Sequence, residues 1–94
     1  MREIERSSAF KKDFKRINSN PRHKNNISRR LLAVIDLLVF DKTLPTHLRD
    51  HDLIGDWIGY RECHIKPDVL LIYKKPDAQT LRLARLGSHS DLFG

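Results

Sequence analysis

The side chains best suited to acid–base chemistry are histidines that lie close in sequence to a carboxylate or an arginine. His64 and Asp68 flank the residues Lys66 and Pro67 in the segment GYRECHIKPDVLLIYK. A carboxylate within reach of an imidazole fixes its tautomer and stabilises its charged form, which suits a general acid or base. The alternative is a surface ion pair at a β-turn, so the interpretation depends on which other groups join this pair.

Arg85 and His89 are the groups most able to join it. Strand alternation predicts that Arg85 shares a face with Leu81 and Leu83, at the end of the strand where that face leaves the core. There its guanidinium can pair with Asp68 or bind a phosphate. A glycine between the two residues lets the chain turn back, which brings His89 over the strand end. The alternative for His89 is a solvated histidine in a tail.

Other residues also have a functional and a structural interpretation. His51 stands between two aspartates in a loop, as either a catalytic imidazole or a locally bonded histidine. Trp57 is interpreted as an aromatic cap on the core rather than a platform for a base. Cys63 should point away from His64 along its strand and fill the core, so it is not interpreted as a nucleophile.

A sheet must position these groups. Strands are predicted at 58–65, Val69–Lys74 and 81–86, with turns at 66–68 and 75–78. The second of them is apolar at both its odd and its even positions, which predicts a central strand covered on both faces. Residues 2–6 are a candidate edge strand. The long connection 41–57 should be functional or contain a short strand of its own.

Two helices precede that sheet. Ser7 or Ser8 can cap a helix over 9–17, with Phe10, Phe14 and Ile17 in one apolar stripe. The Asn- and Ser-rich segment 18–21 ends in proline and breaks this helix. A second helix starts at about residue 21 or 27 and runs to residue 40, covering the sheet with a face that Leu32 and Val39 widen. The expected fold class is therefore α+β, a small antiparallel sheet of three to four strands with two N-terminal helices packed on it.

Composition limits the class of protein. The 94 residues suit a single domain, 1–94, and a net charge of +6 favours an anionic partner. The single cysteine excludes an internal disulfide and suits a reducing compartment, and no Cys/His cluster has metal-site spacing. The longest apolar run, 31–40, is too short to cross a bilayer, so a soluble cytoplasmic protein is expected. A basic region, either a solvated face or a surface for a phosphate-rich partner, contains Lys11, Lys12, Lys15, Arg16, Arg22, Lys24, Arg29 and Arg30.

Several segments resemble the YafQ branch of the RelE-type bacterial toxins. They are DHDLIGDW at 50–57, GYRECHIKPD at 59–68, LIYK at 71–74 and RLGSHSDLFG at 85–94. The resemblance implies a toxin of a type II toxin–antitoxin pair, an endoribonuclease that cuts translated messenger RNA on the ribosome. It also implies a small antiparallel sheet with two N-terminal helices. Since no ligand set in the sequence supports a metal, metal-independent acid–base catalysis with no cofactor is expected.

The resemblance also assigns residues. The working positions of the family fall on His51, His64, Asp68, Arg85, His89 and Phe93. With these assignments Arg85 binds the phosphate, and Phe93 stacks on or supports a base. His51 and His89 are the acid–base candidates, in an order that stays open. His64 and Asp68 place the substrate or act as an alternative base. Lys11, Lys12, Lys15 and Arg16 should bind ribosomal RNA. One departure is Val69, where relatives can have a tryptophan.

Partners follow from the same resemblance. They are a cognate antitoxin of the DinJ/RelB-like kind, the messenger RNA with the ribosome, and operator DNA through the antitoxin complex; no membrane is expected. The alternative is a gyrase-inhibiting toxin of the related ParE type, which is not an enzyme. That class lacks the histidine, aspartate and arginine set quoted above.

Overall fold

An almost wholly apolar strand lies at the centre of the fold. The computed structural model describes residues 1–23 and 26–94 of the protein. The helices and strands are β1 (Glu3–Arg6), α1 (Ser8–Asn18), α2 (Ile27–Val39), β2 (His51–Asp52), β3 (Arg61–Lys66), β4 (Val69–Lys74), β5 (Thr80–Gly87) and α3 (His89–Phe93), with short 3-10 turns at Thr46–Leu48 and Gly55–Trp57. The strand order in the sheet is β1-β5-β4-β3-β2. As predicted, β4 lies in the middle, and it is buried except at its last residue.

The sheet differs from the predicted antiparallel sheet of three to four strands. It has five strands, and β1 runs parallel to β5, with Ile4 opposite Leu81. A parallel pair needs a long crossover connection, which the chain between β1 and β5 provides. The predicted strand within 41–57 is β2, which pairs antiparallel with β3. Both added strands are exposed at every position, so hydrophobic periodicity gave no signal for how they pair.

α1 begins where the sequence predicts. The Ser7 side chain accepts a hydrogen bond from the Phe10 backbone N–H at 2.9 Å, which makes Ser7 the N-cap. The helix ends at Asn18, in the predicted break. Phe10 and Ile17 are buried as predicted, and so is Asp13, which lies on the same stripe because it follows Phe10 by three residues and precedes Ile17 by four.

α2 spans Ile27–Val39, the later of the two predicted starts. Leu32 is 65% exposed, so the prediction that it widens the buried face is wrong, whereas Val39 is buried. Apolar side chains of α1 and α2 pack on one face of the sheet, against residues such as Leu71 and Tyr73. We call this the helical face. In the described part of the chain, no helix is both long enough and apolar enough to cross a bilayer.

The opposite face of the sheet, which we call the open face, carries a smaller apolar cluster. It includes Leu70, Ile72 and Leu92 of α3. The segment 87–94, predicted as a tail or a single helical turn, forms this third helix. A capping box starts α3, because Ser88 and Asp91 each accept a hydrogen bond from the backbone N–H of the other, at 3.1 and 3.2 Å.

Candidate functional site

A row of side chains crosses four strands on the open face. This polar row consists of His51 in β2, Glu62 in β3, Ile72 in β4 and Arg85 in β5, each opposite the next in the strand register. Cross-strand partners point to the same face, so the three polar groups share the open face with Ile72. Neighbouring strands lie about 4.8 Å apart, which separates the Cα atoms of Glu62 and Arg85 by about 10 Å. The Ile72 side chain is itself buried in the apolar cluster of this face, so the polar groups stand on either side of a covered position.

A second row runs beside the first and carries the hairpin histidine. His64 stands opposite Leu70, and Leu70 stands opposite Gly87. His89 follows Gly87 by two residues and is the first residue of α3. The register therefore places His64 beside the polar row. It also places His89 just beyond the end of β5 that carries Arg85.

Glu62 links two of the histidines. Its Oε2 lies 3.6 Å from Nε2 of His51, and its Oε1 lies 3.9 Å from Nε2 of His64. The Glu62 side chain is 8% exposed, so it is a nearly buried carboxylate between two imidazoles. A carboxylate at these distances can orient both neighbouring rings.

A backbone carbonyl fixes the tautomer of His51. Nδ1 of His51 lies 2.6 Å from the carbonyl oxygen of Arg49. A carbonyl can only accept a hydrogen bond, so Nδ1 carries the proton and the lone pair of the neutral ring lies on Nε2, towards Glu62. The ring is thus locally bonded, as one interpretation of the sequence held, and still presents a nitrogen that can accept a proton.

Arg85 does not pair with Asp68, contrary to the first of its two predicted roles. Its Nε and Nη2 donate to the carboxylate of Asp13 at 2.7 and 3.1 Å, and this hydrogen bonding raises the Arg85 pKa. The predicted face was also wrong. The register shifts between Ile72 and Tyr73, which leaves Ala84 without a partner and turns Arg85 to the face opposite Leu83.

His64 and Asp68 do not pair directly in the described part of the chain. Asp68 Oδ2 lies 3.6 Å from Nη2 of Arg22 and 3.8 Å from Nε2 of His23, in the loop after α1. His23 is buried, and its Nδ1 lies 2.9 Å from Nζ of Lys66. The short turn between β3 and β4 thus directs Asp68 towards α1, away from the imidazole that it was predicted to contact.

α3 supplies the last pair of predicted residues. The rings of His89 and Phe93 lie 4.9 Å apart with an angle of 43° between them, and both side chains are exposed. Burial of Leu92 packs the helix on the sheet, and the capping box fixes where the helix starts after β5. The hydrogen bond from the Ser88 backbone N–H lowers the Asp91 pKa. One turn of helix therefore presents an imidazole beside an aromatic ring.

The basic residues predicted on α1 lie at the surface. Lys11, Lys12 and Lys15 are exposed on α1, Arg16 is half exposed, and Lys24 lies outside the described residues. Arg16 also approaches Asp13 at 3.5 Å and Asp91 at 3.6 Å, so it joins α1 to α3.

Two residues have the structural roles predicted for them. Trp57 packs edge-on against Tyr60, with ring centroids 5.2 Å apart, in the apolar cluster of the open face. Cys63 is fully buried, and burial raises the pKa of its thiol to about 12. A buried thiol of this kind is not a nucleophile.

A family described as "Bacterial toxin of type II toxin-antitoxin system, YafQ" matches residues 2–94. The chain belongs to the YafQ family. A protein of Escherichia coli K12 named mRNA interferase toxin YafQ is 42% identical over 94 residues, which cover 99% of this chain and 97% of that protein.

Solved structures agree with this membership. The YafQ chain in a crystal structure of the E. coli DinJ-YafQ complex has a TM-score of 0.82 and 37% identity over 100% of both chains. A crystal structure of a metal-bound toxin from Helicobacter pylori has a TM-score of 0.87 and 41% identity, over 99% of this chain and 100% of that one.

Sequence reasoning missed two carboxylates in this YafQ-family chain. Glu62 precedes His64 by two residues on β3, so alternation already put both on one face. Asp13 occupies the apolar stripe of α1, where a buried charge requires a partner. The signal for Glu62 was the alternation of polar residues along β3, and the signal for Asp13 was a charged residue on an apolar helical stripe.

Proposed function

We propose that this toxin is an mRNA interferase, a ribosome-dependent and metal-independent endoribonuclease that cuts translated messenger RNA. The name of its E. coli relative, 42% identical over 94 residues, supports the reaction. The observation that carries the proposal is the polar row, which holds an imidazole of fixed tautomer, a nearly buried carboxylate and a guanidinium on one open face. Because ribosomes are its site of action, we propose the bacterial cytoplasm as its location.

His51 is the proposed general base. Nε2 of His51 takes the proton from the 2′-hydroxyl, and the 2′-oxygen then forms a bond to phosphorus. The bond between phosphorus and the 5′-oxygen breaks as that oxygen receives a proton from a protonated His89. The products are a 2′,3′-cyclic phosphate and a 5′-hydroxyl. This direction follows from the hydrogen bond of Nδ1 to the Arg49 carbonyl, which leaves Nε2 to accept the proton.

Glu62 supports the base. When His51 takes the proton its ring becomes positive, and the Glu62 carboxylate at 3.6 Å stabilises that charge and holds the ring in place. His64, at 3.9 Å from the same carboxylate, is the alternative base. Asp68 faces the loop after α1, so we assign it to substrate placement rather than to activation of His64.

Arg85 is the proposed phosphate ligand. Asp13 occupies its Nε and Nη2, whereas Nη1 makes no hydrogen bond to the described residues and can donate to a phosphate oxygen. A preorganised cation of this kind is worth about 10²–10³ in rate. Phe93, exposed beside His89, is proposed to stack on a nucleobase.

The basic surface of α1 is the proposed contact with ribosomal RNA. Lys11, Lys12 and Lys15 are exposed there, and Arg16 is half exposed. Binding through phosphates weakens steeply with salt, so affinity for ribosomes should fall as ionic strength rises. An affinity that is constant between 50 mM and 200 mM salt, measured by sedimentation with ribosomes, would exclude this contact.

A cognate antitoxin is the proposed protein partner. The E. coli relative forms a complex with DinJ, and a net charge of +6 gives an acidic partner an electrostatic attraction. Through that antitoxin the complex is proposed to bind operator DNA. Co-expression of the neighbouring antitoxin gene should restore growth, and continued arrest with a soluble, expressed antitoxin would contradict the pairing.

The activity is tested with purified protein, translating ribosomes and a defined message. Primer extension should show new 5′ ends only when ribosomes are present and only within translated codons. Cleavage of naked RNA at the same rate would contradict ribosome dependence. Inhibition of DNA gyrase without any cleavage would favour the ParE-type alternative.

Metal independence is tested in the same assay. In the described ranges 1–23 and 26–94, no three His, Cys, Asp or Glu side chains are placed to hold a metal ion. The toxin, treated with chelator and then returned to Mg²⁺ to keep ribosomes intact, should cleave at its original rate. Loss of activity that only a transition metal restores would contradict this, and the metal-bound H. pylori relative makes the control necessary.

A further inference from the structure

Two aspartates that flank His51 are tied to the sheet from its helical face. Arg61 donates to Asp52 through Nη1 at 2.6 Å and to Asp50 through Nη2 at 2.8 Å. The Tyr73 hydroxyl donates to the other oxygen of Asp50 at 2.5 Å. We call the set Asp50, Asp52, Arg61 and Tyr73 the Arg61 clamp.

The clamp and His51 lie on opposite faces of the sheet. Arg61 stands opposite Tyr73 in the register, and Tyr73 packs in the core under α1 and α2. Residues alternate between faces along a strand, so the neighbours of His51 point to the helical face while His51 points to the open face. β2 has only two residues, and its ladder alone cannot hold it firmly.

The groups of the clamp are strongly bound. Hydrogen bonding to Asp50 raises the pKa of Arg61, and burial together with the bond to Asp50 raises the pKa of Tyr73. Tyr73 is 2% exposed, so its hydroxyl is a rigid anchor within the core. One guanidinium therefore joins both sides of His51 to a fixed point in the sheet.

We propose that the Arg61 clamp positions His51, so that Nδ1 reaches the Arg49 carbonyl and Nε2 lies on the open face beside Glu62, where it can take a proton from the substrate. Arg61, Asp50 and Tyr73 are then positioning residues, which act through His51 and do not touch the substrate. This inference rests on the proposed role of His51 as a base. Misplacement of a catalytic group by about 1 Å costs up to about 10²-fold in rate, which sets the size of the expected effect.

Arg61→Lys tests the clamp, because an ammonium keeps the charge but cannot bridge two carboxylates in one plane. The matched control is Arg2→Lys, since Arg2 also binds a carboxylate, that of Asp41, at 2.8 Å, and belongs to neither the polar row nor the clamp. Arg61→Lys should lower single-turnover cleavage about 10–100-fold with ribosome affinity changed less than twofold, whereas Arg2→Lys should leave both unchanged. Tyr73→Phe is the second test, to be used if Arg61→Lys does not fold. It removes only the hydroxyl, and the cleavage rate should fall about 3–10-fold.

A second readout separates this inference from the proposed function. Long-range ¹H–¹⁵N spectra report which ring nitrogen of His51 is protonated, whether or not the protein cleaves RNA. Wild type and Arg2→Lys should show the Nδ1–H form, and Arg61→Lys should show a mixture of both tautomers. Inactive wild type would end the proposed function and leave the tautomer result to decide the clamp. An active Arg61→Lys with unchanged rate and an intact Nδ1–H signal would overturn the clamp alone.

Discussion

Removal of the Asp13 carboxylate should destabilise the fold more than any surface change. Asp13 is 3% exposed and accepts from Arg85 at 2.7 and 3.1 Å and from the Leu86 backbone N–H at 3.0 Å. Loss of one partner from a fully buried ion pair costs about 3–5 kcal/mol. The Arg85 side chain is 28% exposed and regains some hydration, which reduces its share, but the Leu86 N–H loses its acceptor. Asp13→Ala should therefore cost about 3 kcal/mol, or about 12–24 °C in Tm for a domain of this size.

Urea denaturation followed by circular dichroism, with thermal melts in parallel, measures this difference. Asp36→Ala is the matched control, because Asp36 is an exposed carboxylate on α2 and its loss should change stability by less than about 0.5 kcal/mol. The stability of Asp68→Ala gives a second comparison, because Asp68 was the carboxylate predicted from the sequence as a possible partner of Arg85. A loss below about 1 kcal/mol for Asp13→Ala, or a larger loss for Asp68→Ala, would refute the assignment of Arg85 to Asp13.

Three further predictions concern single side chains. Glu62→Gln should lower the cleavage rate about tenfold or more, because the ring of His51 loses its anionic partner; Glu3→Gln, on exposed β1, should have no effect, and equal rates would contradict the role of Glu62. Cys63 should resist a thiol reagent until guanidinium unfolds the protein, since burial raises its pKa to about 12; modification of the native protein at the unfolded rate would show that the core is wrongly placed. Folding lowers the Asp91 pKa, so the charged carboxylate stabilises the fold fully when the pH is above the ordinary aspartate pKa of about 3.9. This stabilisation is lost as the pH falls through the lower pKa of the folded state. Asp91→Asn should therefore be less stable than wild type at pH 7 and nearly equal to it in strong acid, and urea unfolding that finds the same gap at both pH values would contradict the capping role.

Apolar periodicity was sufficient to predict the hairpin of β3 and β4, the central position of β4, and both N-terminal helices. Capping preference left Ser7 and Ser8 as the alternatives for the start of α1, and the structure selects Ser7. The direction of β1 and the pairing of β2 could not be predicted, because their exposed residues have no hydrophobic pattern. The shifted register beside Ala84 was also unpredictable, since neither glycine nor proline marks it. That single extra residue turned Arg85 to the open face.

The site followed the same division. His51, Arg85 and His89 could be selected by residue type and by family resemblance, and the register brings His51 and Arg85 into one row. The carboxylates that pair with these residues could not be predicted, because their side-chain directions are set by a β-turn for Asp68 and by helix packing for Asp13. For that reason Asp68 was paired wrongly, and Asp13 was found only in the structure.

The most direct test of the proposed acid–base mechanism combines His51→Ala with His89→Ala and measures messenger RNA cleavage on translating ribosomes. The matched control is His47→Ala, because His47 is an exposed histidine in the 3-10 turn Thr46–Leu48, outside the polar row. Circular dichroism and melting should first show that the double variant is folded. The folded double variant should make no detectable cleavage products, while His47→Ala should cleave at the wild-type rate. Cleavage by the folded double variant at the wild-type rate would contradict this mechanism.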